Sequence, residues 1–126
     1  MSGFANPVLD ALRVARTVRI ETSAGSERDV HAAIIWVVVD DAGRVLVRSW
    51  RGERGRWYRE LRAHPLGTLR VGELAVSVRA EPAGDDDDRV EACSRGLREK
   101  YAGAGGSLSG MLLDEVLSTT LELVPA

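Results

Sequence analysis

The sequence is poor in the residues that build disulfides, metal centres and cysteine-based catalytic sites. It contains one cysteine, Cys93, and two histidines, His31 and His64, in 126 residues. A single cysteine excludes an intrachain disulfide, and two histidines with scattered carboxylates do not have the spacing of zinc ligands. We therefore predict no metal site, and we interpret Cys93, which lies in a segment of helical pattern, as a buried apolar residue.

Long apolar runs and familiar enzyme motifs are missing as well. The longest apolar run, from Ala32 to Val39, has the length of a strand, whereas a membrane span needs roughly 18 residues or more. The N-terminus lacks the basic-then-apolar order of a signal peptide. No Gly-x-Ser-x-Gly turn, Walker phosphate loop or dinucleotide fingerprint is present. These absences predict a soluble cytoplasmic protein with no membrane partner, in which any redox chemistry comes from a bound cofactor.

Charge is balanced overall but unevenly distributed. The formal net charge is −2, which argues against a nucleic-acid partner because binding to phosphates needs a surplus of positive charge. Eight arginines lie between Arg44 and Arg70, whereas Asp85 to Asp88 is purely acidic. Consecutive aspartates point in different directions, so we interpret this run as an exposed turn that caps the next helix rather than as a metal site.

The spacing of apolar residues predicts a single domain, residues 1–126, with six short strands and three brief helices. Tight turns between most of the strands favour a small antiparallel barrel of the mainly β (α+β) class, with peripheral short helices. The Gly- and Ser-rich segment from Ala102 to Gly110 is expected to be mobile. The predicted strands are Thr17–Thr22, His31–Val39 (covered on both faces), Arg44–Trp50, Thr68–Val71, Glu73–Ala80 and Ser118–Val124, and the helices begin near Pro7, Arg56 and Arg89.

One stretch, from Arg48 to Tyr58, combines two tryptophans with a dense run of arginines. Strand alternation places Arg48 and Trp50 on one face, and Gly52 and Gly55 allow the chain to turn sharply into the next helix. Guanidinium groups beside a helix N-terminus suit a phosphate or a carboxylate, and the aromatic rings suit a planar ligand. The stretch is therefore a candidate site for a planar anion.

An equally weighted interpretation gives this stretch a structural role. The tryptophans then belong to the core, and the arginines are solvated or paired with Glu53 and Glu60. His31 and His64 each lie at the end of a predicted element, a position at which a histidine is more often structural than a general base.

The residues of the candidate site also carry a resemblance to a known family. The runs Ile35–Val39, Val45–Arg59, Lys100–Gly103 and Thr119–Pro125 resemble a small family of unknown function. That family is similar to the FMN-binding split-barrel superfamily, which includes pyridoxamine-phosphate-oxidase-like and deazaflavin-dependent nitroreductase-like proteins. In the deazaflavin branch, the helix that lines the cofactor resembles the run from Trp57 to Pro65.

The resemblance implies a six-stranded antiparallel split β-barrel that binds FMN or a deazaflavin. It implies hydride or electron transfer to a small organic acceptor without a protein nucleophile, and a homodimer. A non-catalytic module that binds a small anionic ligand or a protein partner is the alternative. The implied cofactor-binding residues are Arg48, Ser49, Trp50, Arg51, Gly52, Arg54, Gly55, Arg56, Trp57 and Tyr58.

The sequence departs from the deazaflavin branch at two places. Glu60 stands where the branch has asparagine. The upstream phosphate loop of the branch has no counterpart around Ala24 to Val30, where only Arg28 is basic.

Overall fold

The computed structural model describes residues 3–23, 29–84 and 86–126, so residues 24–28, which belong to the segment compared with the phosphate loop, and Asp85 lie outside the described residues. The strands of the described part form one antiparallel sheet in the order β2-β1-β5-β6-β7-β4-β3, which curls into a half-barrel. This confirms the α+β fold class and the split barrel. The strands are β1 Val18–Ser23, β2 Val30–Ile35, β3 Val38–Val39, β4 Val45–Val47, β5 Leu66–Val71, β6 Leu74–Pro82 and β7 Leu121–Pro125.

The described sheet has seven strands rather than the predicted six, because the segment His31–Val39 is broken in two. Val37 is fully buried at the break. Its N–H donates to the Tyr101 hydroxyl at 3.1 Å, and its carbonyl accepts from Lys100 Nζ at 2.9 Å. Side chains therefore satisfy the backbone groups that a neighbouring strand would have bound.

The prediction that this segment is covered on both faces is wrong for its first half. β2 forms one edge of the sheet, and Val30 and Ile34 are 52% and 68% exposed. The prediction rested on composition alone, since a run of β-branched residues is typical of a strand that is buried on both faces. The second half, β3, forms the opposite edge and packs against a helix.

Helices flank the sheet and one 3-10 turn, Gly52–Arg54, follows β4. Most of one helix, Gly106–Met111, lies in the Ala102–Gly110 segment, where no helix was predicted, and the mobility of that segment stays a prediction. Met111, at the end of this helix, is buried and packs in an apolar cluster with Cys93 and Leu97. The helices of the described residues are α1 Asn6–Val14, α2 Arg56–Ala63, α3 Asp87–Lys100, α4 Gly106–Met111 and α5 Asp114–Leu117.

The predicted acidic cap is confirmed at Asp86. Its Oδ1 accepts from the backbone N–H groups of Asp88 at 3.1 Å and Arg89 at 3.3 Å, which fixes the start of α3. The carboxylate also pairs with the Arg89 side chain at 2.8 Å. Among the described residues, no group of three or more His, Cys, Asp or Glu side chains is arranged to hold a metal ion.

Two apolar cores lie on the two faces of the sheet. The larger core joins α1 and α2 to the strands, and it includes Leu12, Tyr58 and Leu61. The smaller core lies between α3, α4 and the β3–β4 hairpin, and it contains Cys93, which is fully buried as predicted. No described helix is long and apolar enough to cross a membrane. The cytoplasmic location and the single-domain assignment stay predictions.

Candidate functional site

A cleft opens between the edge strand β2 and the chain that runs from the end of β4 into α2. The cleft consists of two adjoining cavities that share Ile34, Trp50 and Trp57. The first, which we call the tryptophan cavity, has a volume of about 310 Å³ and is also lined by Ile35, Trp36, Arg48, Ser107 and Met111. The second, which we call the arginine cavity, has a volume of about 320 Å³ and is also lined by Thr22, His31, Ala32, Ala33, Ser49, Arg51, Gly55 and Arg56.

Aromatic rings held in fixed positions form the walls of the tryptophan cavity. Trp36 stacks on Tyr101 with a centroid distance of 4.0 Å and an interplanar angle of 4°. Trp50 lies against Gly110 of α4 so closely that a Cβ there would lie 2.5 Å from the indole nitrogen. Trp50 nevertheless remains 58% exposed, so one side of its ring is open to a ligand.

Arg48 borders the tryptophan cavity but is only 1% exposed. Its guanidinium group donates to four neutral oxygens, which belong to Thr120, Ser94, Met111 and Val90, at 2.9–3.0 Å. No carboxylate of the described residues forms an ion pair with it. Burial lowers the pKa of Arg48 from its ordinary value, although an arginine remains charged at any physiological pH. The side chain connects the end of β4 to α3, to α4 and to Thr120 just before β7, and it places a positive charge beside the cavity.

The turn after Arg48 is built around Ser49. The Ser49 hydroxyl donates to the Gly52 carbonyl at 2.7 Å, and the Ser49 N–H donates to the Thr119 hydroxyl oxygen at 3.1 Å. Gly52 has φ +65°, which favours glycine. A Cβ on Gly55 would collide with the Ser49 hydroxyl. Both glycines are therefore required by the turn, one for its backbone angle and one for the close approach of Ser49.

The arginine cavity carries the exposed cations of the site. Arg51 is exposed, and the Arg56 side chain is 63% exposed at the start of α2. The Arg56 Nε lies 3.6 Å from Glu60 Oε2, one helical turn away, and its Nη2 contacts Nε2 of His31 across the cavity. Neither guanidinium group is enclosed as Arg48 is, so both are accessible to an anion.

A polar cluster connects Arg56 to the sheet. The Thr22 hydroxyl donates to Glu60 Oε1 at 2.7 Å, and His31 Nδ1 lies 3.1 Å from Glu60 Oε2. Burial acts to raise the pKa of Glu60, but the hydrogen bond from Thr22 and the contacts with His31 and Arg56 outweigh it, so the pKa is lowered. Glu60 is therefore an ionised carboxylate at neutral pH.

Most of the predicted site residues border the cleft, and some do not. Tyr58 is 4% exposed in the larger core, with its hydroxyl accepting from Arg62 Nη1 at 2.9 Å. Gly52 and Arg54 line a separate depression beside α5. The predicted residues that border the cleft are Arg48, Ser49, Trp50, Arg51, Gly55, Arg56 and Trp57.

Sequence reasoning missed the wall contributed by β2 and the role of Glu60. The pairing of Arg56 with Glu60 was visible as an i, i+4 spacing. The contact of Glu60 with His31 was not, because it depends on how α2 packs over β1 and β2. Ile34 was assigned to a covered strand, and nothing in the local pattern indicated that it faces a cleft.

Comparison with known proteins supports the fold. The family described as "Uncharacterized protein conserved in bacteria (DUF2255)" matches residues 8–123. No protein with a curated description matches the sequence significantly. Among solved structures, HutZ, the heme storage protein from Vibrio cholerae, is 14% identical, with 96% of this chain and 89% of that chain covered and a TM-score of 0.64.

Two further solved structures carry the names of an oxidase and a reductase. A putative pyridoxamine 5'-phosphate oxidase from Listeria innocua is 13% identical, with 96% of this chain and 90% of that chain covered and a TM-score of 0.63. An F420-H2 dependent reductase (FDR-A) is 12% identical, with 86% and 93% covered and a TM-score of 0.61. Identities this low show a shared fold alone, and that fold is the split barrel inferred from the sequence.

Proposed function

The chain belongs to the DUF2255 family, and we propose that it binds FMN or a deazaflavin in the cleft and serves as an oxidoreductase for a small organic substrate. The observation that carries the proposal is the adjacency of an aromatic cavity and a cationic cavity, joined through Trp50 and Trp57. A flavin-type cofactor has the same two parts, a planar ring system and an anionic tail.

The residues present fit such a group. Ligand sites are mostly apolar clefts of about 300–1,000 Å³ with a few convergent polar groups. Each cavity alone has a volume at the lower end of this range, and the combined volume of the two lies within the range. In the tryptophan cavity, Trp50 and Trp57 offer apolar surfaces against which a planar ring can pack. Arg48 adds a fixed positive charge there, and no carboxylate of the described residues forms an ion pair with it.

Each element of the site has a distinct part in the proposal. Trp50 and Trp57 hold the ring, and Arg51 and Arg56 bind the anionic end through charge-assisted hydrogen bonds. Ser49 fixes the turn that presents both arginines. Three residues of the set predicted from the sequence support the turn and the helix from outside the two cavities: Gly52, Arg54 and Tyr58.

The chain itself supplies binding, orientation and charge. When bound, a flavin or deazaflavin supplies hydride or electron transfer to an organic acceptor. Trp50 covers the ligand from the solvent side and limits the access of water. Arg48 favours a ligand that carries negative charge on the part seated in the tryptophan cavity.

The names of structural relatives support this choice of ligand class. A pyridoxamine 5'-phosphate oxidase and an F420-H2 dependent reductase share the fold. HutZ, named for heme storage, shares it too and favours the alternative, a module that binds a ligand without catalysis. The alternative needs the same cleft and differs only in the absence of turnover.

A binding experiment with matched arginine variants tests the proposal. FMN and a deazaflavin, added separately, are expected to quench tryptophan fluorescence and to raise the melting temperature. Arg51→Ala should weaken binding about tenfold, because it removes one charge-assisted hydrogen bond. Arg54→Ala is the control, since Arg54 lies in the same turn but outside both cavities. If neither cofactor changes fluorescence or melting, the redox proposal fails.

Turnover separates the two functions once binding is established. A reduced cofactor that is reoxidised by an organic acceptor faster with the protein than without it supports the oxidoreductase. Tight binding without any such acceleration over a panel of acceptors supports the non-catalytic module.

We also propose a homodimer in which the exposed edge of β2 takes part. Val30 and Ile34 are large apolar side chains exposed on an edge strand, and the nearby Trp50 is exposed as well. Unpaired edges with apolar side chains favour association with another chain. Ile34→Lys should shift the protein from dimer to monomer in analytical ultracentrifugation, and a wild-type protein that sediments as a monomer contradicts this proposal.

A further inference from the structure

His31 and Glu60 have no part in the function proposed above, although both contact Arg56 at the mouth of the arginine cavity. We infer that this pair determines which anions the arginine cavity accepts. With a neutral His31 the cavity takes a singly charged group of the carboxylate class, and uptake of one proton by His31 is coupled to the binding of a doubly charged group such as a phosphate monoester. The inference rests on the proposed function only in assigning the anionic end of the ligand to this cavity.

The hydrogen-bonding partners define the state of the imidazole. Arg56 has only donors, so Nε2 of His31 must accept from it. The remaining proton of a neutral ring is then on Nδ1, which donates to Glu60 at 3.1 Å. Thr22 donates to the other carboxylate oxygen at 2.7 Å. In this state His31 offers no donor to an anion and keeps one donor of Arg56 engaged.

The balance of charge favours a monoanion in this state. Arg51 and Arg56 each contribute one positive charge, and Glu60, whose pKa is lowered, contributes one negative charge. One net positive charge faces the cavity. A carboxylate matches this charge, whereas a dianion is left with an unbalanced charge close to Glu60.

Protonation of His31 changes both the charge and the contacts. Both ring nitrogens of an imidazolium are donors, so Nε2 no longer accepts from Arg56. Arg56 is freed, Nε2–H becomes a donor to the ligand, and Glu60 still accepts from Nδ1. Net charge rises by one, which matches a dianion. Histidine is the side chain that undergoes this change between about pH 5 and 8.

The other charged groups near the cluster do not substitute for His31. On α2, Arg59 and His64 share a separate depression with Arg56 and Glu60. On β1, Glu21 pairs instead with Arg70 at 3.0 Å and with Arg19. Within the part of the chain that the structure describes, His31 is thus the only histidine that borders the arginine cavity.

Sulfate and acetate are suitable probes, because sulfate keeps a charge of −2 and acetate keeps a charge of −1 from pH 6 to 8. Binding is followed by the NMR signal of the Trp57 indole N–H, and proton uptake by calorimetry in two buffers of different ionisation enthalpy. We expect sulfate to bind about tenfold more tightly at pH 6 than at pH 8, with an average uptake of about half a proton over this range, and acetate to change by less than about threefold.

Matched variants identify the group responsible. His31→Gln should abolish the pH dependence of sulfate binding, whereas His64→Gln, which changes the other histidine at the exposed end of α2, should leave it intact. Glu60→Gln should tighten sulfate binding at pH 8, because it removes the negative charge. Sulfate binding that is equally strong at both pH values, or that keeps its pH dependence in His31→Gln, overturns the inference.

The outcome does not depend on the cofactor. If sulfate binds with the expected pH dependence but FMN and deazaflavin do not bind, the anion site stands and the redox proposal falls. If the cofactors bind and sulfate shows no coupling to protons, the redox proposal stands and the role of His31 and Glu60 falls.

Discussion

Arg48 and Arg56 belong to the same short stretch, yet they have opposite surroundings. Arg48 is 1% exposed and donates to four oxygens of the protein. The Arg56 side chain is 63% exposed, and its polar partners among the described residues are His31 and Glu60. The first arginine holds the fold together beneath the cleft, and the second is available to a ligand.

The difference shows that a dense run of arginines is not by itself a binding site. Burial of a charge is tolerated only where the charge is fully hydrogen-bonded, and such an arginine is an internal connection. An exposed arginine contributes little to stability and much to the recognition of anions. Arg48 therefore has a structural role, whereas a binding role for the exposed Arg56 stays a prediction.

Substitution of each of the two arginines gives the largest expected difference in the free energy of unfolding. Arg48→Met should lower the free energy of unfolding by about 3–5 kcal/mol, because it leaves buried oxygens without donors. Arg56→Gln should change it by less than about 0.5 kcal/mol. Urea unfolding at pH 7 measures both.

Cys93 provides an independent measure of the same contrast. It is fully buried, and burial raises the pKa of its thiol to about 11, so it is unreactive in the folded protein. Alkylation of Cys93 should accelerate in Arg48→Met and not in Arg56→Gln. A stable Arg48→Met that has lost only the ligand would show that Arg48 is a binding residue instead.

A smaller effect is expected at the turn that separates the two arginines. Gly55→Ala places a methyl group against the Ser49 hydroxyl and should lower stability by about 1–3 kcal/mol. Ser49→Ala in the same chain should recover part of this loss, because it removes the colliding atom. Thermal unfolding of the single and double variants measures the coupling.

The control for this pair is Gly106→Ala. No atom lies within 4 Å of a Cβ at that position in α4, so the change should be neutral or slightly stabilising. Additive losses in Gly55→Ala and Ser49→Ala would show that the close approach of the two residues does not determine the shape of the turn.

The smallest effect concerns a second cation, Lys100, which is half-buried. Its Nζ donates to the carbonyls of Leu12 and Val37. Burial, followed by the nearby charge of Arg16, lowers its pKa from 10.5 to about 8. Unlike Arg48, it can release its proton near physiological pH.

The lowered pKa of Lys100 determines whether the stability of the protein rises or falls with pH. Between pH 8 and 10.5 the unfolded chain binds more protons at Lys100 than the folded chain, so the contribution of this residue to stability rises with pH. From pH 8 to 9 the gain should be below about 1 kcal/mol, because the side chain is partly exposed. Lys100→Met should lose this rise, as seen by urea unfolding at the two pH values, and an identical rise in the variant contradicts the assignment.

Local patterns were sufficient to predict most of the fold. The helix over Arg56–Ala63, the hairpin around Gly72 and the acidic cap of α3 depend on residues close in sequence, and all are found. The break at Val37 depends on Tyr101 and Lys100, more than sixty residues away in the chain. No local pattern carries such information.

The candidate site also has features that local patterns predict and features that depend on distant residues. The strand, turn and helix that bear Trp50, Arg51 and Arg56 follow from alternation and glycine spacing. Which of these side chains meet across the cleft depends on the edge strand β2, whose Ile34 and His31 were assigned to other roles. The burial of Arg48 could not be predicted for the same reason, because its partners come from α3, from α4 and from Thr120, which precedes β7.

The break between β2 and β3 also limits how the protein can evolve. β2 and β3 form opposite edges of the sheet, and they are joined only by Trp36 and Val37. Inserting or deleting one residue there would shift β2 by one position and reverse the face on which each of its side chains lies, which would turn Ile34 away from its present place at the cleft. At the β5–β6 hairpin tip, where nothing lies near Gly72, a length change would disturb no such partner. Relatives that keep the cleft should therefore vary in length at the hairpin tip and keep a constant length at the break.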